Sequence, residues 1–504
     1  MERIAIIDLG SNTARLLIME ISATGHFHIV DQLKEAPRLG EGMDRDGFLK
    51  PQRIQETIKT IKMFRKLCDS YGIEKITAVA TAAVRHAKNQ RSFLDEVASV
   101  CGIKFKVLSA EEEAMYVYKG VINTMDIPKG LILEIGGGST KIVYYNRRNL
   151  LAHETLPFGS ITLTELFAAD NLSPAEQAEK IEEFFTEQLK RIPWLENVDP
   201  ETQFIGVGGS FRNLCRMAKI MRKYPLKNIH NYVLKDVEFT HTYNMLKSLE
   251  LDRKKKIRGL SSGRADILPS ALAAVAAFKK YMNLGDIVIS GSGLRTGIIF
   301  NYAVPTTMDK PISDILGYSL AGLIEFYGCN KQHTEQVVDL SIQLFKQLRV
   351  LHKFPRQHLK ILKVAASLHD AGRRVDFYNY EKHSGYAVMN ANIYGLSHRD
   401  TVLAAFVAAN TSMEDINLAE WAKYRDLVTD DDIEAVKKMG VMLRIADSLD
   451  RSMTSAVKGI NCDILGDSVI MKTELNGDAA LEINSALQIG QDFRKVFKKN
   501  LEIL

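Results

Sequence analysis

The stretch IAIIDLGSNTARLL (residues 4–17) decides the fold, because its layout returns at LILEIGGGSTKIV (residues 131–143). Each copy is an aliphatic run, an acid, a glycine turn and a second apolar run. Asp8 matches Glu134, Gly10 matches Gly136, and Arg15 matches Lys141. Each copy predicts two strands joined by a tight loop of small residues. Glycine lets the backbone turn sharply and approach a ligand closely. Successive N–H groups in such a loop form an anion-binding concavity, and an acid ending the first strand can hold Mg²⁺ or a metal-bound water. One such segment alone reads as an ordinary hairpin with glycine in its turn. Two copies with acid and base in register predict a duplicated α/β domain, with a phosphate chain clamped from both sides in the cleft between its halves.

The bulk composition sets limits around this reading. A chain of 504 residues suggests about three domains, and 46% hydrophobic with 25% charged residues is ordinary for a soluble globular protein. The net charge of +5, from 66 bases against 61 acids, is compatible with an anionic substrate without arguing for one. Cys68, Cys101, Cys215, Cys329 and Cys462 are scattered, odd in number and form no CxxC pair, so they read as reduced thiols in a cytoplasmic protein. The N-terminal apolar run meets Asp8 at once and does not read as a signal peptide. No segment reaches the ~18 uninterrupted apolar residues of a membrane span, so no membrane partner is expected. No aromatic–basic interleaving marks a dedicated nucleic-acid platform.

Residues 1–124 alternate strands and helices, the α/β pattern. Strands are expected at Lys75–Thr81 and Lys104–Leu108, with a helix from Gln52 to Cys68 between repeats. The second half, 125–305, opens with the repeated hairpin. Ser173-Pro174-Ala175-Glu176 is a helix start, with a serine cap, proline at the first position and glutamate at the third. Ala271–Phe278 reads as a buried helix. Two more glycine loops, ending in Gly208-Gly209-Ser210 and Gly291-Ser292-Gly293, follow strands and lead into helices. Each sets a helix N-terminus beside the loop, a second route to anion binding, though close helix–strand packing asks for the same glycines. Asn301–Pro311 reads as a linker. Residues 311–458 are helical in pattern, and 459–504 form a small α+β appendage. There Asn476-Gly477 predicts a hairpin between Val469–Leu475 and Ala479–Ile483.

These motifs resemble the exopolyphosphatase/guanosine pentaphosphatase (Ppx/GppA) family of the actin-like ATPase superfamily. The resemblance runs in order through DLGSN (8–12), ATAAVR (80–85), 109–120, 135–140, 206–210 and 290–297. It implies two ribonuclease-H-like halves, then a mostly α-helical HD-like domain and a small β-containing tail. It implies hydrolysis of the terminal phosphate of inorganic polyphosphate, or of guanosine pentaphosphate at its 5′ end, assisted by Mg²⁺. Gly10, Ser11, Asn12, Gly136, Gly137, Gly138 and Ser139 would cradle the terminal phosphate, joined by Gly208, Gly209 and Ser210. Arg85 would neutralise phosphate with its planar donor fork; without the resemblance it reads as a solvated loop arginine.

The family's general base falls on Glu113, in the acid run Glu111-Glu112-Glu113. Ser109 and Glu112 have capping-box spacing, which gives Glu112 a structural role. Glu113 stands one turn before Val117 and leans toward protein. Asp8 and Glu134 would hold Mg²⁺. Two positions depart from the better-known bacterial exopolyphosphatases, which carry aspartate before the triple glycine and glutamate after Ser-Thr. Here they are Glu134 and Lys141. An ammonium cannot ligate a metal, so Lys141 is expected to replace part of the metal's charge and contact phosphate.

In the helical region, Leu368-His369-Asp370-Ala371-Gly372 resembles the signature of HD-domain phosphohydrolases. With His333 upstream and Asp447 downstream it supplies the residue types of a second metal site; His383 and His398 have no place in that set. Ordinary hydrogen bonding at a helix end accounts for a His-Asp pair equally well. The run Arg253–Arg258 could guide a polyanion, although such runs are more often solvated faces. The expectation is a cytoplasmic exopolyphosphatase, a homodimer whose helical domain extends the polyanion channel. Guanosine pentaphosphate hydrolysis is the nearest alternative, and a non-catalytic polyphosphate or alarmone sensor is the rival from another class.

Overall fold

The computed structural model describes residues 2–43, 46–168, 172–304, 311–410 and 417–504. The chain divides into two compact units, Met1–Ile315 and Leu316–Leu504. Residues 305–310, most of the expected linker, lie outside the described residues. The helix before them runs Leu294–Ala303 and so takes in the linker's expected start.

The first unit contains the repeat as two sheets. The first is β1 (Glu2–Leu9), β2 (Ala14–Ile21), β3 (Phe27–Glu35), β4 (Ile76–Ala80) and β5 (Phe105–Val107), in the order β3-β2-β1-β4-β5. The second is β6 (Lys129–Ile135), β7 (Thr140–Asn146), β8 (Asn149–Leu156), β9 (Gln203–Val207), β10 (Tyr232–Leu234) and β11 (Ile287–Ile289), in the order β10-β11-β9-β6-β7-β8. In both, an antiparallel three-strand meander is extended by two parallel strands, β4 and β5 or β9 and β11. The order and sense repeat, with β10 added at the far edge. The hairpin register pairs Asp8 with Arg15 and Glu134 with Lys141.

The strands carry continuous apolar runs because both faces of each sheet are covered. Ala5 and Ile7 face one core with the helices Pro51–Ser70 and Gln90–Cys101. Ile4 and Ile6, on the alternate face, enter a middle core with Ile132, Val143 and Ile205 of the second sheet. The helices Ala110–Ile122 and Leu294–Ala303 fill this shared layer. Leu131 and Leu133 face a third core, which contains the buried helix Leu268–Tyr281. The expected capping boxes form at Ser109/Glu112 and Ser173/Glu176.

The second unit is helical, with Lys331–Gln347, Gln357–Leu368, Tyr380–Asn390, His398–Ala408 and Asp431–Ser448 as its longer helices beyond Ile315–Tyr327. It ends in a three-stranded sheet of β12 (Val457–Leu465), β13 (Ser468–Leu475) and β14 (Asn500–Ile503), with β13 central. The expected hairpin at Asn476-Gly477 is not there. The turn is the two-residue Gly466-Asp467 link between β12 and β13, itself a hairpin dipeptide. After Gly477 the chain enters the helix Ala480–Leu487, whose first N–H donates to Asp478 Oδ1 at 3.1 Å. The Asp478 side chain, bonded to the backbone two residues on, turns the chain into that helix instead of a hairpin.

Candidate active site

The carboxyl ends of β1, β4, β6, β9 and β11 lead into one cleft in the first unit, the usual place for ligands in open α/β sheets. The two glycine loops line it and touch. A Cβ on Gly137 would stand 2.9 Å from Ser11 Cβ, and one on Gly138 would stand 2.8 Å from Ser11 Oγ. Only glycine allows that approach. Gly10, Ser11, Asn12, Gly136, Gly137, Gly138 and Ser139 all face the cleft, as do Gly208 and Gly209. Asn12 is 3% exposed, yet neither side-chain amide atom has a hydrogen-bond partner. Leaving buried polar atoms unmatched costs about 1–3 kcal/mol each, and in Asn12 they are available to a ligand in the cleft.

Three acids and a ring of cations complete the cleft. Asp8, Glu113 and Glu134 line it with Lys141, Arg15, Arg212 and Arg264. Lys141 is buried and ion-paired with Glu113 Oε1, and its Nζ lies 3.5 Å from Glu134 Oε2. Burial opposes the charge on Lys141, but Glu113 and Glu134 hold its pKa above the ordinary value. Arg85 Nη1 donates to Glu113 Oε2 at 3.1 Å and to the Leu108 carbonyl at 2.8 Å. Both oxygens of Glu113 are therefore fixed by cations. Burial pushes the Asp8 carboxyl up, against Arg295, whose Nε is 3.9 Å away, and Arg15.

The arginines are under mutual strain. Burial, with Arg15, Arg295 and Arg264 beside it, holds Arg212 well below the usual guanidinium range. Burial and Arg15 lower Arg264 to about 10, and the same two causes lower Arg295 to about 10. Nε of Arg15 and of Arg264 have no hydrogen-bond partner. The Arg264 guanidinium lies flat on Gly209, where a Cβ would come within 2.4 Å of Nη2. Crowded, desolvated cations disfavour their own charge, and a bound polyanion relieves that.

Two expected site residues stand elsewhere. Ser210 is fully buried and its hydroxyl donates to the Ile135 carbonyl at 3.3 Å, so it fastens the helix Gly208–Arg222 to β6 and does not line the cleft. Arg85 does not line the cleft either; its Nη1 holds Glu113, while its Nε and Nη2 are buried without a hydrogen-bond partner. Arg15, Arg212 and Arg264 were missed as site residues. Arg15 had a signal, since it holds the hairpin position equivalent to Lys141. Arg212 lies in the first turns of the helix after the Gly208 loop. Arg264, in the short turn Ser262–Arg264, belongs to no motif.

The Mg²⁺ that the family resemblance implies at Asp8 and Glu134 does not fit these residues. Asp8 faces Arg295, and Glu134 faces Lys141. Among the described residues, no three carboxylate or imidazole groups converge here; the one such group is His333, His369 and Asp370, in the second unit. Asp447 stands beside that group, 3.3 Å from His333.

The cleft thus gathers guanidinium groups beside two glycine loops, an arrangement suited to a phosphorylated anion. Comparison with known proteins gives the lineage of the chain. Residues 17–304 match the Ppx/GppA phosphatase family, and residues 317–488 match Ppx/GppA phosphatase, domain III. An exopolyphosphatase from Cytophaga hutchinsonii is 25% identical, over 60% of this chain and 98% of its own, with a TM-score of 0.56. The Aquifex aeolicus member of the Ppx/GppA family is 26% identical over the same shares, with a TM-score of 0.51. The chain belongs to the Ppx/GppA phosphatase family, and that makes it a phosphohydrolase. No described helix is long and apolar enough to cross a membrane.

Proposed function

We propose that the chain is an exopolyphosphatase that removes the terminal phosphate of inorganic polyphosphate in the cleft between the two sheets. The observation that carries this reading is the set of crowded guanidinium groups beside the glycine loops. A linear polyanion matches them: its end sits in the loops, and the next phosphates meet Arg15, Arg212 and Arg264.

Phosphoanhydride hydrolysis asks for positioning, charge neutralisation and an oriented water. The backbone N–H groups of the two loops and the Asn12 amide position the terminal phosphate. Glu113 retains free lone pairs beside its ion pairs and orients a water toward the phosphorus. The water oxygen attacks in line and its proton passes to Glu113. The bond from phosphorus to the bridging oxygen breaks, and the shortened chain leaves with that electron pair. The arginines compensate the charge on the leaving oxygen. An ammonium has three donors, so Lys141 serves Glu113, Glu134 and the phosphate together. In this reading Lys141 and the arginines supply the positive charge, and the cleft works without bound Mg²⁺.

The second unit is read as an HD-like module, supported by the domain III match and by the convergence of His333, His369, Asp370 and Asp447. One observation favours a non-catalytic sensor instead: both oxygens of Glu113 are held by cations. Glu113→Gln separates the two. Phosphate release from polyphosphate should fall by about 10²–10⁴-fold while polyphosphate still binds. A wild-type chain that binds polyphosphate and releases no phosphate would select the sensor.

A further inference from the structure

The segment 36–43, between β3 and the helix Pro51–Ser70, does not line the cleft, yet it is tied to three of the parts that do. Its backbone is fastened to the first glycine loop. The Arg38 N–H donates to the Asn12 carbonyl at 3.2 Å, and the Gly40 N–H donates to the Ser11 carbonyl at 2.9 Å. A Cβ on Gly40 would stand 2.9 Å from Ser11 Cβ, an approach that needs glycine. The Gly42 N–H donates to Glu165 Oε1 at 2.8 Å. Glu165 belongs to the helix Ser160–Leu166, which starts on the second glycine loop. There the N–H groups of Ser160 and Ile161 donate to the Gly136 and Gly137 carbonyls, both at 2.8 Å.

The Arg38 side chain makes the third link. Its Nη2 donates to Asp266 Oδ2 at 2.7 Å, in the second half of the repeat, and its Nε donates to Glu41 Oε2 at 3.1 Å. Glu41 is also ion-paired with Arg53 of the helix Pro51–Ser70, which anchors the near side of the link. On the far side, Asp266 stands two residues after Arg264, the guanidinium that lies on Gly209. A planar fork can hold two carboxylates at a fixed angle. The backbone of Arg38 shows the cost of placing it there. Its φ is 53°, in the left-handed region that residues other than glycine seldom occupy. Such a conformation persists where the surroundings over-determine it, and these sites cluster at functional positions. Here the surroundings are the Asn12 carbonyl, Glu41 and Asp266.

We propose that Arg38 is a positioning residue for phosphate cleavage, which sets the first glycine loop and its Asn12 amide against the segment that carries Arg264. The inference rests on the reading of the cleft as a site of phosphoanhydride hydrolysis. In-line attack needs the terminal phosphate and the water in near-attack geometry, and a misplacement of about 1 Å can cost 10²-fold. Arg38 contributes no contact inside the cleft. It acts through the Asn12 carbonyl on one side and through Asp266 on the other. Loss of its guanidinium leaves Arg15, Arg212 and Arg264 in place to bind the chain, but frees the two sides of the cleft from each other. The effect therefore falls on kcat and not on KM.

The test uses Arg38→Gly in the full chain, because glycine adopts a positive φ freely and only the guanidinium is lost. The variant should fold normally by circular dichroism. Its kcat for phosphate release from long-chain polyphosphate should fall about 10–100-fold, with KM nearly unchanged. Asp266→Ala should lower kcat likewise, and the double variant should lose no more than the worse single one, as two partners in one link do. Unchanged kcat in Arg38→Gly, a rise in KM with kcat preserved, or fully additive losses in the double variant would each overturn the proposal. A second arm needs no turnover: amide hydrogen exchange of the substrate-free wild type and Arg38→Gly. Exchange should quicken at Gly10–Thr13 and at residues 262–266, on both sides of the cleft. Quickening confined to residues 36–43 would overturn the link. A wild-type chain inert toward polyphosphate would end the exopolyphosphatase reading, and the exchange pattern would still decide whether Arg38 joins the two sides.

Discussion

Lys141 of the second glycine hairpin forms a direct ion pair with Glu113, in the first turn of the helix Ala110–Ile122. Residues 28 apart in sequence meet because β6–β7 and that helix both end at the cleft. The pair ties the cationic substitution on the hairpin to the group assigned as base. It also explains how a lysine can be accommodated where an acid would otherwise help to hold a cation.

Lys141→Glu would place a third carboxylate against Glu113 and Glu134. In EDTA this variant should lose at least about 100-fold in phosphate release, the scale of removing one preorganised electrostatic contact. Added Mg²⁺ should restore part of the rate, because three acids then converge with no ammonium among them. Steady-state rates of both proteins across a Mg²⁺ series check this. Unchanged activity and metal dependence would mean that Lys141 does not supply the charge.

Arg85 touches Glu113 and the Leu108 carbonyl, not the cleft. Both contacts come from Nη1, and Arg85→Lys replaces the planar guanidinium with a shorter, tetrahedral ammonium that does not hold Glu113 in the same geometry. It should lower kcat about 10-fold, a modest part of what a misplaced catalytic group can cost, with KM for polyphosphate nearly unchanged. A rise in KM with kcat preserved would return Arg85 to the phosphate-binding set.

Arg212 is the most crowded of the cleft arginines. Arg212→Gln should raise KM for polyphosphate about 10-fold, the loss expected for one charge-assisted hydrogen bond of roughly 1.5 kcal/mol. The free protein should become slightly more stable, since the variant removes a repelled cation. Calorimetric melting without substrate and KM determination test the two halves separately.

Burial raises the Asp8 carboxyl. The folded chain therefore binds a proton there more tightly than the unfolded chain, and stability falls as pH rises from about 3.9, the ordinary aspartate value, through the raised one. Asp8→Asn should remove that loss, giving a melting temperature at pH 7 above wild type and a flatter profile on the acid side. Activity should fall, because Asp8 lies opposite Arg15 and beside Arg295. A variant less stable than wild type at pH 7 would contradict the burial argument.

Much of the architecture could be read from the hairpin repeat, because acid–base register and β-strand alternation are local properties. Asp8/Arg15 and Glu134/Lys141 pair across their strands as the matched sequences require. Arg264 could not be read, because it sits in a short turn and reaches Gly209 only through tertiary folding. Ser210 was misplaced because a helix's first turn points some side chains at the sheet, and sequence alone does not give that rotation. The hairpin turn falls at Gly466-Asp467 and not at Asn476-Gly477, where the Asp478 side chain bonds the backbone two residues on and leads the chain into a helix. The grouping of His333 with His369 and Asp370 was legible from sequence; the hydrogen bonds of the two imidazoles to Asp450 and to the Ala366 carbonyl have no sequence signature.

The most direct measurement is phosphate release from long-chain polyphosphate and from guanosine pentaphosphate, side by side, in Mg²⁺ and in excess EDTA. The account predicts preferential turnover of polyphosphate, with most of the rate surviving EDTA. Preferential turnover of guanosine pentaphosphate, or complete loss of activity in EDTA, would contradict it.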